Sequence, residues 1–321
     1  GLSSYCYGYP GRLSGGLAGA IVDHCIPKGC PIAKPLNAQS TMDTSLLPGW
    51  INLDTMPGTF TTALALPDSC VVEAYDDFAF LRCPEREDFW FGNFVITRCP
   101  LPAVDDWPAL HREWHRRIAS RCAVPREVYQ WECCSPAPLD EGKMATMGGD
   151  GLFTSLTVMQ LRAALAFTLP QGVEFVELDT KQRFREAIVL TTESNAEDPE
   201  SVATADFTQW QYGRQWEQVR TGRATWFGLL CQGRIVAHCG LIHKAGIGRY
   251  QDVTTAPAHR RQGLAEMLVR AVAAHALHRD RCHQLVIVAE ADSPPERIYR
   301  RVGFEPFSHE YSVAFSREGQ A

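Results

Sequence analysis

From residue 69 onward the chain runs in short apolar stretches separated by polar breaks. Residues 71–75 and 77–81 flank one such break and predict two strands. The aromatic and β-branched run 89–96 predicts a third. The period then changes. Trp107, Leu110, Trp114 and Ile118 recur at helical spacing, so a helix is expected over 107–118. A glycine-rich turn at 148–151 precedes a strand over 152–161, and Pro170-Gln171-Gly172 reads as a joint. Residues 173–178 alternate cleanly as a strand, and helices are expected over 181–191 and 207–220, either side of an acidic loop at 195–201. Strands over 224–231, 234–243 and 249–255 follow, the first two joined by a Gln232-Gly233 hairpin turn. A helix from residue 264, a strand over 285–290, a helix over 296–301 and a strand over 311–315 complete the pattern. The fold class is mixed α/β, and the three-strand meander excludes a simple doubly wound parallel sheet.

Length adds a division. At 321 residues the chain is long enough for two domains, read as 42–170 and 171–321, with residues 1–41 an extension ahead of them. A net charge of −6 gives no support for nucleic acid or an anionic membrane as partner. No apolar run reaches the roughly 18 residues that a membrane span needs. Residues 13–22 are apolar but pass at once into Asp23 and His24, which argues against a signal peptide. The 12 cysteines include no C-x-x-C pair, so no metal is expected from them, and they read as small buried side chains in a reducing, cytoplasmic setting.

The chemistry concentrates in 250-YQDVTTAPAHRRQGLAEMLVRAVAAHA-276. A strand ends at Ala256-Pro257, two arginines follow, and a glycine opens an amphipathic helix with Leu264, Met267, Leu268, Ala271 and Val272 on its apolar face. Backbone N–H groups in a first helical turn lack intrahelical partners, and the helix dipole adds positive character there. Gly263 lets an anion approach the backbone, and Ala265 keeps the next position low. Arg260 and Arg261 oppose the dipole unless an anion sits with them. Residues 260–265, including Gln262 and Leu264, therefore read as a phosphate cradle, the alternative being an ordinary helix start in which His259, Arg260 and Arg261 are solvated charges.

Arg260-x-x-Gly263-x-Ala265 resembles the [RQ]-x-x-G-x-[GA] signature of the GCN5-related N-acetyltransferase family. Further on, Ile298-Tyr299-Arg300-Arg301-Val302-Gly303-Phe304 resembles the family's L-Y-x-x-x-G-F helix. The resemblance covers about 173–316, and 42–170 has a similar rhythm without the signature. It implies a tandem acyl-CoA N-acyltransferase-like fold with a splayed central sheet and a degenerate first domain. It also implies acetyl-CoA, or another acyl-CoA, with its pyrophosphate in the cradle and its pantetheine arm on the backbone of Val253, Thr254 and Thr255. Asp292 stands where many members carry asparagine. Ser293-x-x-Glu296, with Pro294-Pro295 between, forms a capping box.

The implied reaction is acetyl transfer to a primary amine, on a small molecule or a protein. Tyr299 occupies the family position of the acid that protonates the leaving thiolate. For the base, Asp252 lies on the strand before the signature, and Glu290, His238 and His243 are further candidates. Alternation puts Asp252 and Thr254 on one strand face and Gln251 and Val253 on the other. Cys239 and His238 are strand neighbours pointing to opposite faces, so they form no dyad. The competing reading is a non-catalytic coenzyme A sensor or an adaptor.

Overall fold

The computed structural model describes residues 38–40, 47–101, 106–134, 152–196, 204–278 and 282–316. The expected extension over 1–41, apart from 38–40, and the glycine-rich turn at 148–151 lie outside the described residues. The described chain forms two compact units. Of the described residues, one unit holds 38–40 and those from 47 to 155 with 308–316, and the other holds those from 156 to 307.

In chain order the elements begin with β1 (Ala38–Ser40), α1 (Pro57–Ala65), β2 (Val71–Ala74), β3 (Phe78–Arg82) and β4 (Phe94–Thr97). Next come α2 (Trp107–Trp114), β5 (Arg126–Cys133), β6 (Leu152–Leu161), β7 (Val173–Glu177), α3 (Lys181–Ala196) and α4 (Ala205–Arg220). The rest are β8 (Ala224–Cys231), β9 (Arg234–Lys244), β10 (Ile247–Thr255), α5 (Leu264–His278), β11 (Gln284–Glu290), α6 (Pro294–Val302) and β12 (Glu305–Ser316).

The first unit's sheet runs β1-β2-β3-β4-β5-β12, antiparallel except for the parallel pair β4 and β5. The second runs β7-β8-β9-β10-β11-β6, antiparallel except for the parallel pair β10 and β11. The strand order and sense are the same in both. Each parallel pair is bridged by a helix, α2 in the first unit and α5 in the second.

The units part elsewhere than at residue 170. The strand expected to end the first half pairs with β11 through Leu156–Leu161, and the strand expected to close the second half pairs with β5 through His309–Ser316. Side-chain contact accounts for the second of these. Tyr311 lies opposite Trp131 and stacks on it at 5.7 Å and on Phe153 at 5.8 Å. The aromatic run 89–96 is also only partly strand. Trp90–Gly92 forms a 3-10 turn, and Gly92 lies so close to Phe89 that a Cβ would come within 2.5 Å of its ring. Buried Asn93 fixes that turn, accepting from the Cys83 N–H at 2.8 Å and donating to the Phe89 carbonyl at 2.8 Å.

In the second unit, alternate residues of the sheet serve two layers. Phe227, Leu229, Ala237, Cys239 and Val253 pack with Leu268, Val269 and Val272 of α5. Trp226 packs on the other face with Phe184 of α3 and Tyr212 of α4. Among the described residues no helix is long and apolar enough to cross a membrane.

Candidate active site

β10 is where the second unit's sheet becomes irregular. Its ladder to β9 is regular from Ile247 to Gln251, resumes at Thr254, and shifts register between them. Two residues, Asp252 and Val253, therefore stand against one on β9, which is a β-bulge. Asp252 takes the extra turn in the backbone with φ +47, a conformation uncommon for a residue with a Cβ.

The bulge corrects the alternation expected from the sequence. Gln251 lies opposite Gly240, which lies opposite Trp226, and the Trp226 ring fills the space a Gly240 side chain would need. Gln251 therefore faces α3 and α4. Asp252 faces the same way, since the Gln215 side-chain amide of α4 donates to Asp252 Oδ2 at 2.6 Å. Val253 turns into the α5 layer, and Thr254, opposite His238, returns to the α3/α4 face. The expected pairing of Asp252 with Thr254 holds, while that of Gln251 with Val253 does not. Burial pushes the Asp252 carboxyl up to about 7, against the opposing pull of the Gln215 hydrogen bond. Around it, both side-chain amide atoms of Gln251 and the carbonyl oxygen of Gln215 are buried without a hydrogen-bond partner.

On its other edge β10 leaves its neighbour. It pairs in parallel with β11 only at Ile247–Arg249 against Gln284–Val286. β10 continues to Thr255 along β9, and β11 continues to Glu290 along β6. The sheet thus opens between its two central strands, leaving facing backbone groups that an extended ligand can satisfy. Val253, Thr254 and Thr255 lie on this stretch, and the Thr255 hydroxyl is buried with no partner.

The chain then makes a 3-10 turn at Pro257–His259, runs extended at Arg260, and takes positive φ at Arg261 (+62) and Gly263 (+76) before α5. A Cβ on Gly263 would meet only the Met267 methyl at 3.4 Å, so backbone conformation rather than crowding calls for glycine. Arg261, Gln262 and Gly263 are exposed, while Leu264 and Ala265 are buried and anchor the helix start. The two arginines divide. Arg260 donates to Ser194 Oγ of α3 at 2.9 Å and so ties the turn to that helix, leaving Arg261 as the exposed cation beside Gly263.

Tyr299 sits on α6, whose expected capping box forms only in part: Ser293 caps the helix, but Glu296 reaches the N–H one residue before it, while the Ser293 N–H goes to the Glu290 carbonyl. Ser293 Oγ accepts from the Glu296 N–H at 3.3 Å, and Glu296 Oε2 accepts from the Asp292 N–H at 2.6 Å. Gly303 closes the helix at φ +109. The helix turns Tyr299 into the α5 layer, buried with Val253, Leu264 and Ala265 and 6.4 Å from the Phe304 ring. Tyr299 and Asp252 therefore belong to opposite layers of the same sheet.

The other base candidates fare differently. His238 is fully buried, its Nδ1 accepting from the Trp226 indole at 3.3 Å and its Nε2 lying 2.8 Å from Thr191 Oγ1. Burial lowers its pKa to about 3, so it is a neutral core residue. His243 lies toward the end of β9 that faces the start of β10, 3.3 Å from Thr225 Oγ1 and away from the opening. Glu290 ends β11, half-buried, its carbonyl accepting from Ser293 Oγ at 2.6 Å. Gln215 escaped the sequence reading, and Gln251 was placed there only on the strand face away from Asp252. Their signal was a polar residue at buried positions of an otherwise regular pattern, Gln215 three residues after buried Tyr212 on α4.

Residues 227–313 match the family model described as FR47-like protein. No curated protein matches the chain. Among solved structures, a conserved protein of unknown function from Staphylococcus epidermidis superposes with a TM-score of 0.57 at 8% identity, covering 75% of this chain and 91% of that one. A GCN5-related N-acetyltransferase from Kribbella flavida gives 0.54 at 18%, covering 78% and 90%. Another from Sphaerobacter thermophilus gives 0.51 at 16%, covering 75% and 80%. The fold is the mixed α/β fold of the GCN5-related N-acetyltransferases.

Proposed function

We propose that the chain is an N-acyltransferase that moves an acetyl group from acetyl-CoA to a primary amine. The carrying observation is the opening between β10 and β11, which runs along β10 into the positive-φ turn at the start of α5. The residues present fit the cofactor. The open β10 edge and the orphaned Thr255 hydroxyl suit an amide-bearing arm, and the α5 first turn with exposed Arg261 suits a pyrophosphate.

Acetyl-CoA, when bound, supplies an acyl thioester, whose carbonyl an amine can attack. The backbone of Val253, Thr254 and Thr255 orients the arm, and the N–H groups of residues 261–265 hold the phosphates, with Gly263 allowing their approach. Asp252, poised near neutral pH, accepts the proton that the amine must lose. Tyr299 donates the proton that the leaving sulfur needs. The partnerless amide atoms of Gln251 and Gln215 orient a hydrogen-bonding acceptor beside Asp252.

The test is a calorimetric titration of acetyl-CoA into the full chain and into Gly263→Glu. Binding to the former and its loss in the latter is expected, because the new carboxylate occupies and repels the pyrophosphate position. No binding to the unaltered protein, or equal binding to both, refutes the cradle.

A further inference from the structure

The first unit carries a side-chain cluster that amine acylation does not use. α2 opens under an Asp106 cap, whose carboxylate accepts from the Ala109 N–H at 3.0 Å. His111 and His115 follow four residues apart, the spacing that places two side chains on one helix face. At His115 the helix widens into a π-turn, His115–Ala119, with the His115 carbonyl accepting from the Ser120 N–H at 2.9 Å. Such turns recur at functional sites because they re-aim the side chains they carry.

Opposite this face, β5 presents Glu127. His111 Nδ1 lies 2.8 Å from Glu127 Oε1, and His115 Nε2 lies 4.0 Å from Glu127 Oε2. One donor atom from each of the three side chains falls within 4.8 Å of the others. The two imidazoles meet edge to face at 4.5 Å, and the Tyr129 hydroxyl donates to Glu127 Oε1. Glu127 is 4% exposed, whereas His111 and His115 are 32% and 38% exposed.

We propose that His111, His115 and Glu127 form a binding site for a divalent cation of the zinc class. A tetrahedral ion with bonds of about 2.0–2.1 Å holds adjacent donors roughly 3.3 Å apart. The 2.8 and 4.0 Å separations bracket that value, so small side-chain rotations close the set around an ion. Two neutral imidazoles and a carboxylate are a donor set that zinc-class ions favour over magnesium or calcium, which take mainly oxygen. A simple ion pair explains less. One imidazole would satisfy such a pair, yet two rings converge on the two oxygens of one carboxylate. Tyr129 holds that carboxylate in place, the role partners of metal ligands commonly play. The half-exposed histidine side leaves the fourth position to water, and the ion ties α2 to β5 within the first unit.

The test uses the full chain, stripped with chelator, dialysed, and titrated with Co²⁺ and then Zn²⁺. One equivalent of Co²⁺ is expected to bind with a visible d–d spectrum lacking a sulfur-to-metal charge-transfer band, and Zn²⁺ should displace it. His115→Gln should weaken binding by about 10-fold or more, and His111→Gln/His115→Gln should abolish it. Circular dichroism checks that both variants keep the fold. Should the double variant misfold, the single exposed-side change His115→Gln decides the matter. Absence of a stoichiometric Co²⁺ spectrum overturns the proposal. So does binding that His115→Gln leaves unchanged, or a charge-transfer band that assigns the ion to cysteine.

Discussion

Replacing Asp252 with asparagine tests whether the carboxylate is placed for chemistry at a cost in stability. Burial raises the Asp252 pKa from 3.8 to about 7. Between those values the unfolded chain has lost this proton and the folded chain keeps it. Folding therefore binds a proton there, and this group's contribution to stability falls as pH rises from about 4 to about 7. Three units at about 1.36 kcal/mol each make the loss on the order of 4 kcal/mol. Asparagine keeps the shape and still accepts from Gln215, but it cannot ionise. At pH 8 Asp252→Asn should therefore be more stable than the unaltered protein by up to that amount, a rise in Tm on the order of 10 °C for a unit of this size. At pH 4 the two should be nearly equal. Urea denaturation at half-unit steps from pH 4 to 8 measures the difference. The same variant should lose the limb of kcat/KM that rises through about pH 7, because that limb reports the ionisation of the base. Stability curves that run parallel across this range refute the buried-carboxylate argument. A rate limb that survives in Asp252→Asn refutes the base assignment.

Tyr299→Phe should cut thiol release with a panel of primary amines by about 100-fold or more while leaving acetyl-CoA affinity intact; unchanged turnover removes the acid. It also separates an enzyme from a coenzyme A sensor, which has no turnover to lose. Gly240→Ala drives a Cβ to within 2.3 Å of the Trp226 ring. It should destabilise the second unit by about 1–3 kcal/mol in chemical denaturation. Thr204→Ala removes the hydroxyl that accepts from the Phe207 N–H at 3.1 Å and should cost about 1 kcal/mol in the same assay.

Most elements of the second half were legible in the sequence, the helices by a one-sided apolar stripe and the central strands as apolar runs bounded by turns. Residues 173–177 alternate and 264–278 carry an apolar stripe, whereas 224–231 is an almost unbroken apolar run, and the turns carry glycine where φ is positive, as at Gly233 and Gly263. α1 and β5 were not. α1 buries proline, glycine and threonine on its short length, so it shows no apolar stripe. β5 buries Glu127, Gln130 and Glu132 among its apolar residues, so it shows neither an apolar run nor a clean alternation. The exchange of β6 and β12 between the sheets was also hidden. A strand's partner is set by side chains distant in sequence, such as Trp131 under Tyr311, and not by its own pattern.

The candidate site divides along the same line. The positive-φ turn proposed as the cradle was readable because its glycine and helix start are local features. The surroundings of Asp252 were not, because alternation assumes a regular ladder and the bulge breaks it at the residue in question. The irregularity itself carries functional information. A regular strand would send Gln251 and Asp252 to opposite faces, whereas the extra residue puts both on one face with Gln215, where both amide atoms of Gln251 and the amide oxygen of Gln215 lack partners. Such a patch costs stability unless something binds there. The departure from strand regularity thus falls beside the opening in the sheet, where a bound acceptor would supply the missing hydrogen bonds.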